Sequence, residues 1–294
     1  MTDDLLTVRD FFRFAVTEFM RAKLHYGHGA TNAIDEAAFL MLEALSLPID
    51  DINPWLDARL TGEERQRLRS LIDARVATRK PAAYLVNKAY IQGVPFYVDE
   101  RVIVPRSYIG ELLAREAAFL PAPENVRSVL DLCTGSGCLA ILAAYAYPEA
   151  EICAVDLSGA ALDVARRNID EHGMSARISL FEGDLFAPLG ARKFDLILTN
   201  PPYVDAEAVA SFPPEYRAEP VIAHAGGADG LDIVRRIIAQ APAHLTAKGG
   251  ICCEFGTGRE ILEADYPHLP FLWPDTEESE GEIFWLTRED FGKA

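Results

Sequence analysis

The first eighty residues pattern as helices. Val8, Phe11, Phe12, Ala15, Val16 and Phe19 recur at intervals of three and four, which puts them on one apolar stripe. The Gly27–Gly29 region is expected to end that helix. A second helix is predicted over Ala33–Leu45, stopping before Pro48. Thr61-x-x-Glu64 is a capping box, in which hydroxyl and carboxylate each satisfy a free backbone N–H. The helix it opens should run to Arg79, just ahead of Pro81. From Tyr84 to Val104, aromatic and β-branched residues broken by Gly93 and Pro95 predict a hairpin or two short strands. A short helix over Ser107–Ala118 should follow, then a stiff connector, Phe119–Asn125, carrying Pro121 and Pro123.

From residue 126 the pattern alternates. Strand-like runs lie at Val126–Leu132, Glu151–Val155, Arg177–Phe181, Phe194–Thr199 and Gly250–Phe255. Helical segments lie at Gly137–Ala146, Gly159–His172 and Gly230–Pro242. Such alternation predicts a parallel sheet with helices on both faces. Leu269–Trp273 and Glu282–Thr287, separated by an acidic stretch, are expected to form an antiparallel edge hairpin. The expected organisation is a helical domain over 1–80, a hairpin and connector over 81–125, and an α/β domain over 126–294, without repeats or low-complexity tracts.

Charge narrows the classes. The 294 residues carry 28 basic and 45 acidic side chains, a net −17 that is uneven: −3 over residues 1–100 and −14 beyond. Tight, non-specific nucleic-acid binding rests on Lys/Arg–phosphate contacts and is disfavoured, whereas a basic partner suits this surface. No apolar run approaches the ~18 residues of a membrane span, and the acidic Met1-Thr2-Asp3-Asp4 does not resemble a signal peptide. The expected setting is soluble and cytoplasmic. Cys133, Cys138, Cys153, Cys252 and Cys253 are odd in number and lack a C-x-x-C, which fits buried thiols. His25 and His28 have no further ligand pair, so no metal site is expected.

Four features carry chemistry. Val129-Leu130-Asp131-Leu132-Cys133-Thr134-Gly135-Ser136-Gly137-Cys138-Leu139-Ala140 runs from strand through a Gly-x-Gly turn into a helix, whose N-terminus offers free N–H groups to a ligand. Asp156, nineteen residues after Gly137, is placed to accept ribose hydroxyls or to cap the following helix. Gly183-Asp184-Leu185-Phe186 sets a carboxylate beside an apolar ring, suited to an adenine. Asn200-Pro201-Pro202-Tyr203 follows a strand at the sheet's carboxyl end. Two prolines stiffen this loop and leave it presenting an amide oxygen, a free backbone carbonyl and an aromatic face. Such a loop can hold a planar –NH2 group by accepting both of its hydrogens.

Together these features resemble the class I S-adenosylmethionine methyltransferases that act on amino groups. Pro81-Ala82-Ala83-Tyr84-Leu85, Val104-Pro105-Arg106-Ser107 and Gly226-Gly227-x-Asp229-Gly230-Leu231 are similar to the glutamine methyltransferases of the translation machinery, and this resemblance covers nearly the whole chain. Of the two bacterial branches, one modifies peptide release factors and the other large-subunit ribosomal protein L-three. Asp131–Cys138 resembles the ribosomal-protein branch; release-factor enzymes usually have Gly where Cys133 stands. Asn200–Glu207, Pro214-Glu215-Tyr216-Arg217-x-Glu219-Pro220 and Tyr266-Pro267-x-x-Pro270-Phe271-x-Trp273 point the same way, while Glu254-Phe255-Gly256-Thr257-Gly258 and Glu278–Glu282 depart from that branch.

The resemblance implies a Rossmann-like, mostly parallel seven-stranded sheet with an antiparallel edge strand, and an N-terminal domain that recognises substrate. It implies S-adenosylmethionine as methyl donor, leaving S-adenosylhomocysteine, held by Asp131, Cys133, Thr134, Gly135, Gly137, Asp156, Asp184, Leu185, Phe186 and Asn200. Asn200, Pro201 and Tyr203 are the expected catalytic residues, and Asn200, Pro201, Pro202, Tyr203 and Arg106 the expected substrate contacts. Arg106 reads equally as a structural salt bridge. The implied reaction is methyl transfer to the side-chain nitrogen of a glutamine in ribosomal protein L-three; the alternatives are a release-factor glutamine or a nucleic-acid adenine. A nicotinamide dehydrogenase shares the glycines and Asp156 but gives no reason for Asn-Pro-Pro-Tyr, and a non-catalytic assembly factor would not depend on Asn200. Arg65, Arg67, Arg69, Arg75, Arg79 and Lys80 read as a solvated helix face or as weak ribosomal RNA contact. Asp275, Glu277, Glu278, Glu280 and Glu282 read as a solvated turn or an attraction for a basic protein. Loops as long as 201–228 are uncommon unless functional, so this one is expected to cover the site.

Overall fold

A computed structural model describes residues 4–277 and 279–292. The expectations that fall on Met1–Asp3 and Glu278 lie outside the described residues. In the N-terminal part, α1 (Val8–Arg21), α2 (Ala33–Ala44) and α3 (Gly62–Thr78) pack together. Each has a side-chain cap at its start. Thr7–Asp10 and Thr61–Glu64 are capping boxes, and Asn32 accepts from Ile34 and Asp35 N–H groups. Phe11, Phe19, Leu40, Met41, Leu68 and Ile72 form their core. α1 ends before Gly27, because Lys23 takes the left-handed conformation and breaks the helix there.

α4 (Ala82–Val86) is a five-residue helix where the aromatic and β-branched pattern predicted strand; Asn87, left-handed, ends it. The expected hairpin follows as β1 (Ala89–Ile91) and β2 (Val94–Phe96), then α5 (Tyr108–Ala114) with Ser107 at its N-cap.

The α/β part contains β3 (Ser128–Leu132), α6 (Cys138–Ala146), β4 (Glu151–Asp156), α7 (Gly159–Glu171), β5 (Ile178–Glu182), β6 (Phe194–Thr199), α8 (Ala206–Ala210), α9 (Asp232–His244), β7 (Leu245–Glu254), α10 (Arg259–Asp265) and β8 (Ile283–Thr287). The strand order is β5-β4-β3-β6-β7-β8, with parallel pairing except between β7 and β8. The chain winds outward from β3 to β5, then crosses to β6. The strand order therefore reverses between the parallel neighbours β3 and β6, and α/β folds bind ligands beside the carboxyl ends at such a point.

The ladder holds six strands among the described residues, not seven. At the expected seventh position Leu272 makes one antiparallel bridge to Trp285, the two residues exchanging both backbone hydrogen bonds. Pro270 and Pro274 lack the N–H groups a longer strand needs. All five cysteines are free, and Cys138, Cys252 and Cys253 are buried.

Candidate active site

The Gly-rich turn after β3 is held from beneath. Asp131 is fully buried; its Oδ2 accepts from Thr134 Oγ1 (2.5 Å) and from Ala140 N (3.0 Å). Burial pushes its carboxyl up to about 7, against the pull of those two donors. Asp131 thus pins the turn to the start of α6. Cys133 has φ +58, a conformation glycine reaches without strain, which gives a physical reason for glycine at the matching position of the release-factor branch. Gly137 has φ +80, and a Cβ there would sit 3.2 Å from Ala165 Cβ, so the turn packs tightly on α7. Asn168 completes the support, donating to Ser136 O and Tyr97 O and accepting from Tyr97 N.

Asp156, at the end of β4, grips the turn from the side. Its Oδ2 accepts from Gly135 N (2.8 Å) and Oδ1 from Ser158 N (2.9 Å), while Ser158 Oγ caps α7. Burial raises its carboxyl above the ordinary value. A carboxylate has about four acceptor sites, so these backbone donors leave acceptor capacity for a further donor.

A cavity lies over the carboxyl ends of β3 to β6. Cys133, Gly135, Asp156, Asp184, Leu185 and Asn200 line it, as does Pro202. Of the other expected cofactor contacts, Asp131 lies beneath the turn, and Thr134, Gly137 and Phe186 do not face the cavity. Phe186 is buried and stacks on His244, ring centroids 4.6 Å apart, so the apolar wall comes from Leu185, which takes φ +50, and from Ile233. Asp184 pairs with Arg236 at 2.6 Å.

A second cavity opens beyond Asn200, lined by Arg106, Asn200, Pro201, Tyr203, Tyr216 and His224. Asn200, Ile103 and Ala223 face both cavities, so Asn200 stands where two chambers meet. Its Nδ2 donates to Arg106 O at 3.0 Å. Only the amide nitrogen can donate to a carbonyl, so this bond fixes the flip and leaves Oδ1 as a free acceptor. Among the described residues no hydrogen bond takes up the Pro201 carbonyl.

Tyr203 is anchored at its far end. Its hydroxyl donates to Glu254 Oε1 at 3.0 Å, and burial raises its pKa. Glu254 is fully buried and also accepts from Ser107 Oγ (2.7 Å) and Tyr108 N (3.1 Å); burial pushes its carboxyl up to about 7. The backbone is clamped by Gly226-Gly227-x-Asp229-Gly230: Val204 N donates to His224 O, Gly226 N to Val204 O, and Ala206 N to Gly227 O. A Cβ on Gly230 would fall 2.3 Å from Tyr203 O, so only glycine fits.

Of the two readings of Arg106, the structure shows the salt bridge, while the side chain also lines the second cavity. Its guanidinium forms a fork on Glu219, with Nη1–Oε1 at 3.0 Å and Nη2–Oε2 at 2.8 Å. Glu219 Oε1 also accepts from Val104 N (2.8 Å), and Oε2 lies 3.0 Å from His224 Nε2 and 3.5 Å from His28 Nε2. Burial alone would raise this carboxyl, but the His224, His28 and Arg106 groups outweigh it and hold it far below the usual range. Glu215, on the same loop, accepts from His25 N and pairs with Arg79 at 2.6 Å, tying the loop to the helical part. Sequence reasoning used Glu219 and Glu254 only as motif letters. Apart from His224 and Tyr203, their partners are more than a hundred residues away, and no local pattern marks such pairs.

In the basic run on and just after α3 only Arg75 is buried, and most of the others are bound to groups of the same chain. Arg75 is buried against Glu36, Arg79 donates to Ala22 O and Lys23 O, Arg69 pairs with Asp73, and Lys80 with Glu100. No group of three His, Cys, Asp or Glu side chains suited to a metal occurs among the described residues.

Residues 114–212 match the methyltransferase small domain family. A protein of Bradyrhizobium diazoefficiens named ribosomal protein uL3 glutamine methyltransferase is 56% identical, over 98% of this chain and 92% of its own length. Proteins of the same name from Bordetella pertussis and Burkholderia pseudomallei are 50% and 51% identical, covering 97% and 95% of this chain and 96% and 94% of those proteins. Among solved structures, a methyltransferase from Pyrococcus furiosus superposes with TM-score 0.50 at 15% identity, over 76% of this chain and 98% of that one. The hMettl16 catalytic domain, solved with a 3′UTR hairpin, also gives 0.50, at 14% identity over 77% and 81%. These two likenesses concern the fold alone.

Proposed function

The chain belongs to the ribosomal protein uL3 glutamine methyltransferases, and from that premise we propose that it methylates the side-chain amide nitrogen of a glutamine in uL3, with S-adenosylmethionine as donor. The observation that carries the reading is Asn200. It stands between two chambers with its Nδ2 tied to Arg106 O and its Oδ1 free beside the free Pro201 carbonyl.

The first chamber fits an adenosyl group. Asp156, at the end of β4, keeps acceptor capacity for ribose hydroxyls, and Leu157, Leu185 and Ile233 offer apolar walls for a base, with Asp184 at the edge. Gly135 has open space where a Cβ would stand, which leaves room for close approach. When bound there, S-adenosylmethionine supplies an electrophilic methyl group.

An amide nitrogen is a weak nucleophile because its lone pair is delocalised into the carbonyl. The residues therefore act by positioning and electrostatics. Asn200 Oδ1 and Pro201 O each accept one N–H of the glutamine amide, which fixes the nitrogen at the junction of the chambers. As charge develops on that nitrogen, both acceptors bind it more strongly, so stabilisation grows toward the transition state. Tyr203 packs along the amide plane, held by Glu254 and the glycine clamp, and Pro202 stiffens the loop. A neutral Asn suits this place, since a carboxylate would also stabilise the ground state. Arg106 and Glu219 are positioning residues: they fix the carbonyl that orients Asn200.

Residues 1–80 serve substrate recognition, 81–125 link, and 126–294 hold donor and acceptor. No helix among the described residues is long and apolar enough to cross a membrane, and a ribosomal-protein substrate supports a cytoplasmic site of action. The test is labelled S-adenosylmethionine with unmodified uL3 and an unmodified release factor, read by peptide mass spectrometry. Methylation of a uL3 glutamine supports the reading, whereas methylation of the release factor alone overturns the substrate.

A further inference from the structure

A third cavity, of about 430 Å³, lies outside the two chambers, between α2, the loop before α3, the hairpin and Val104-Pro105. Its lips are apolar and acidic. Ile34 is 57% exposed, and Phe39 and Ile52 are half-buried along its wall. Asp35, Asp50 and Asp51 line it and have no cationic partner among the described residues. Their contacts are local: Asp35 accepts from Asn32 Nδ2, Asp50 from Asp51 N, and Asp51 from Asn53. The segment 30–52 holds five carboxylates and no Lys, Arg or His. Glu36 is neutralised by Arg75, and Glu43 pairs with Lys88, so the uncompensated charge sits on the three aspartates.

His28 connects this groove to the acceptor chamber. It lines the groove, its side chain is fully buried, and its Nδ1 has no hydrogen-bond partner. Its ring lies 4.3 Å from that of Tyr216, which lines the acceptor chamber. One pair of rings thus stands between the groove and the second cavity. Val104 and Pro105, at the groove's inner end, lead directly into Arg106, whose carbonyl orients Asn200.

We propose that this groove docks a basic segment of the substrate protein, with an aliphatic or aromatic side chain seated between Ile34, Phe39 and Ile52, and Lys or Arg on the three aspartates. The proposal rests on the reading of a basic ribosomal protein as substrate. Charge complementarity selects that occupant: three unpaired carboxylates repel nucleic acid, and a cation placed against them gives up little, because no internal partner competes for them.

The test is steady-state methylation of unmodified uL3 by the wild-type chain and by the Asp50→Lys/Asp51→Lys variant, at several salt concentrations. Both positions are exposed loop residues outside the lining of either chamber. The expected result is a KM for uL3 raised about tenfold, with kcat and the donor's Kd unchanged. The wild-type KM should climb with salt while the variant's stays flat. Ile34→Ser, on the opposite lip, should raise KM independently of salt. Unchanged KM in both variants, with wild-type methylation intact, overturns the groove and leaves the proposed function standing. A fall in kcat at unchanged KM also overturns it, assigning the groove a supporting role. Absence of uL3 methylation by the wild-type chain overturns the function, and the docking proposal with it.

Discussion

Glu219→Gln probes the link between the buried charge network and the site. The wild-type carboxylate takes two guanidinium hydrogen bonds from Arg106 and one from Val104 N, with two histidine nitrogens alongside. Glutamine keeps one acceptor oxygen and turns the other into a donor facing donors. Arg106 then loses its counter-charge. Breaking a wholly buried pair costs roughly 3–5 kcal/mol. The Arg106 side chain is 33% exposed, so water screens part of the loss, and about 2–3 kcal/mol is expected. At about 2–4 °C per kcal/mol, melting should fall by about 5–10 °C. The functional effect passes through Arg106 O. A displacement of about 1 Å at Asn200 costs on the order of 10²-fold, so kcat should fall ten- to a hundred-fold (about 10–10²,), while donor binding changes little. The pH dependence adds a sign. The folded carboxyl is held below its ordinary value of 4.5, so its contribution is fully present above about 4.5 and is lost as pH falls through the folded value. The stability gap between wild type and variant should therefore stay level from pH 8 to about 5 and narrow below that. Calorimetry across pH, with single-turnover methyl transfer, measures both arms. An E219Q variant with wild-type melting and wild-type turnover would refute the reasoning.

Three further outcomes follow from the same geometry. Asn200→Ala should lower kcat by about 10²–10³-fold with donor affinity changed only a few-fold, as measured by single turnover and by calorimetric titration. Gly256→Ala puts a Cβ 2.8 Å from Tyr203 Cδ2 at φ +70, so stability should drop by about 1–3 kcal/mol and turnover should fall with it. Glu254→Gln keeps partners for Tyr203, Ser107 and Tyr108 without the charge. The wild-type carboxyl is raised from 4.5 to about 7, so the folded state binds the extra proton and stability falls as pH rises between those values. The variant should flatten that slope, by up to about 3 kcal/mol, leaving the comparable slope due to Asp131; an unaltered slope in thermal melts from pH 4.5 to 8 would count against the assignment.

The strands were legible because burial on both faces leaves continuous apolar runs, and Phe194–Thr199 is found with the bounds its pattern predicts. Capping chemistry likewise placed the start of α3, since a cap is a local event. α4 was misread because five residues are too few for a helical period to outweigh Tyr84 and Val86 as strand formers. The seventh strand failed at Pro270 and Pro274, where a missing N–H matters more than apolar content. At the site, the backbone-defined features were readable: the Gly-x-Gly turn, Asp156 and the rigid Asn-Pro-Pro-Tyr loop. Side-chain direction was not. Phe186 faces inward to His244 and leaves Leu185 on the cavity wall. Arg106 faces Glu219, a partner 113 positions away. Pairing at that separation is decided by tertiary packing, and neither periodicity nor spacing records it.

In the proposed mechanism Asn200 Oδ1 and the Pro201 carbonyl hold a glutamine side-chain amide at the junction of the two chambers. The most direct measurement is a crystal structure of the chain with S-adenosylhomocysteine and a uL3 segment carrying the target glutamine. The expected result is the glutamine nitrogen within about 3 Å of both oxygens, with Asn200 Nδ2 still on Arg106 O. A glutamine amide bound away from Asn200, or an Asn200 side chain flipped to present its nitrogen to the substrate, would contradict it.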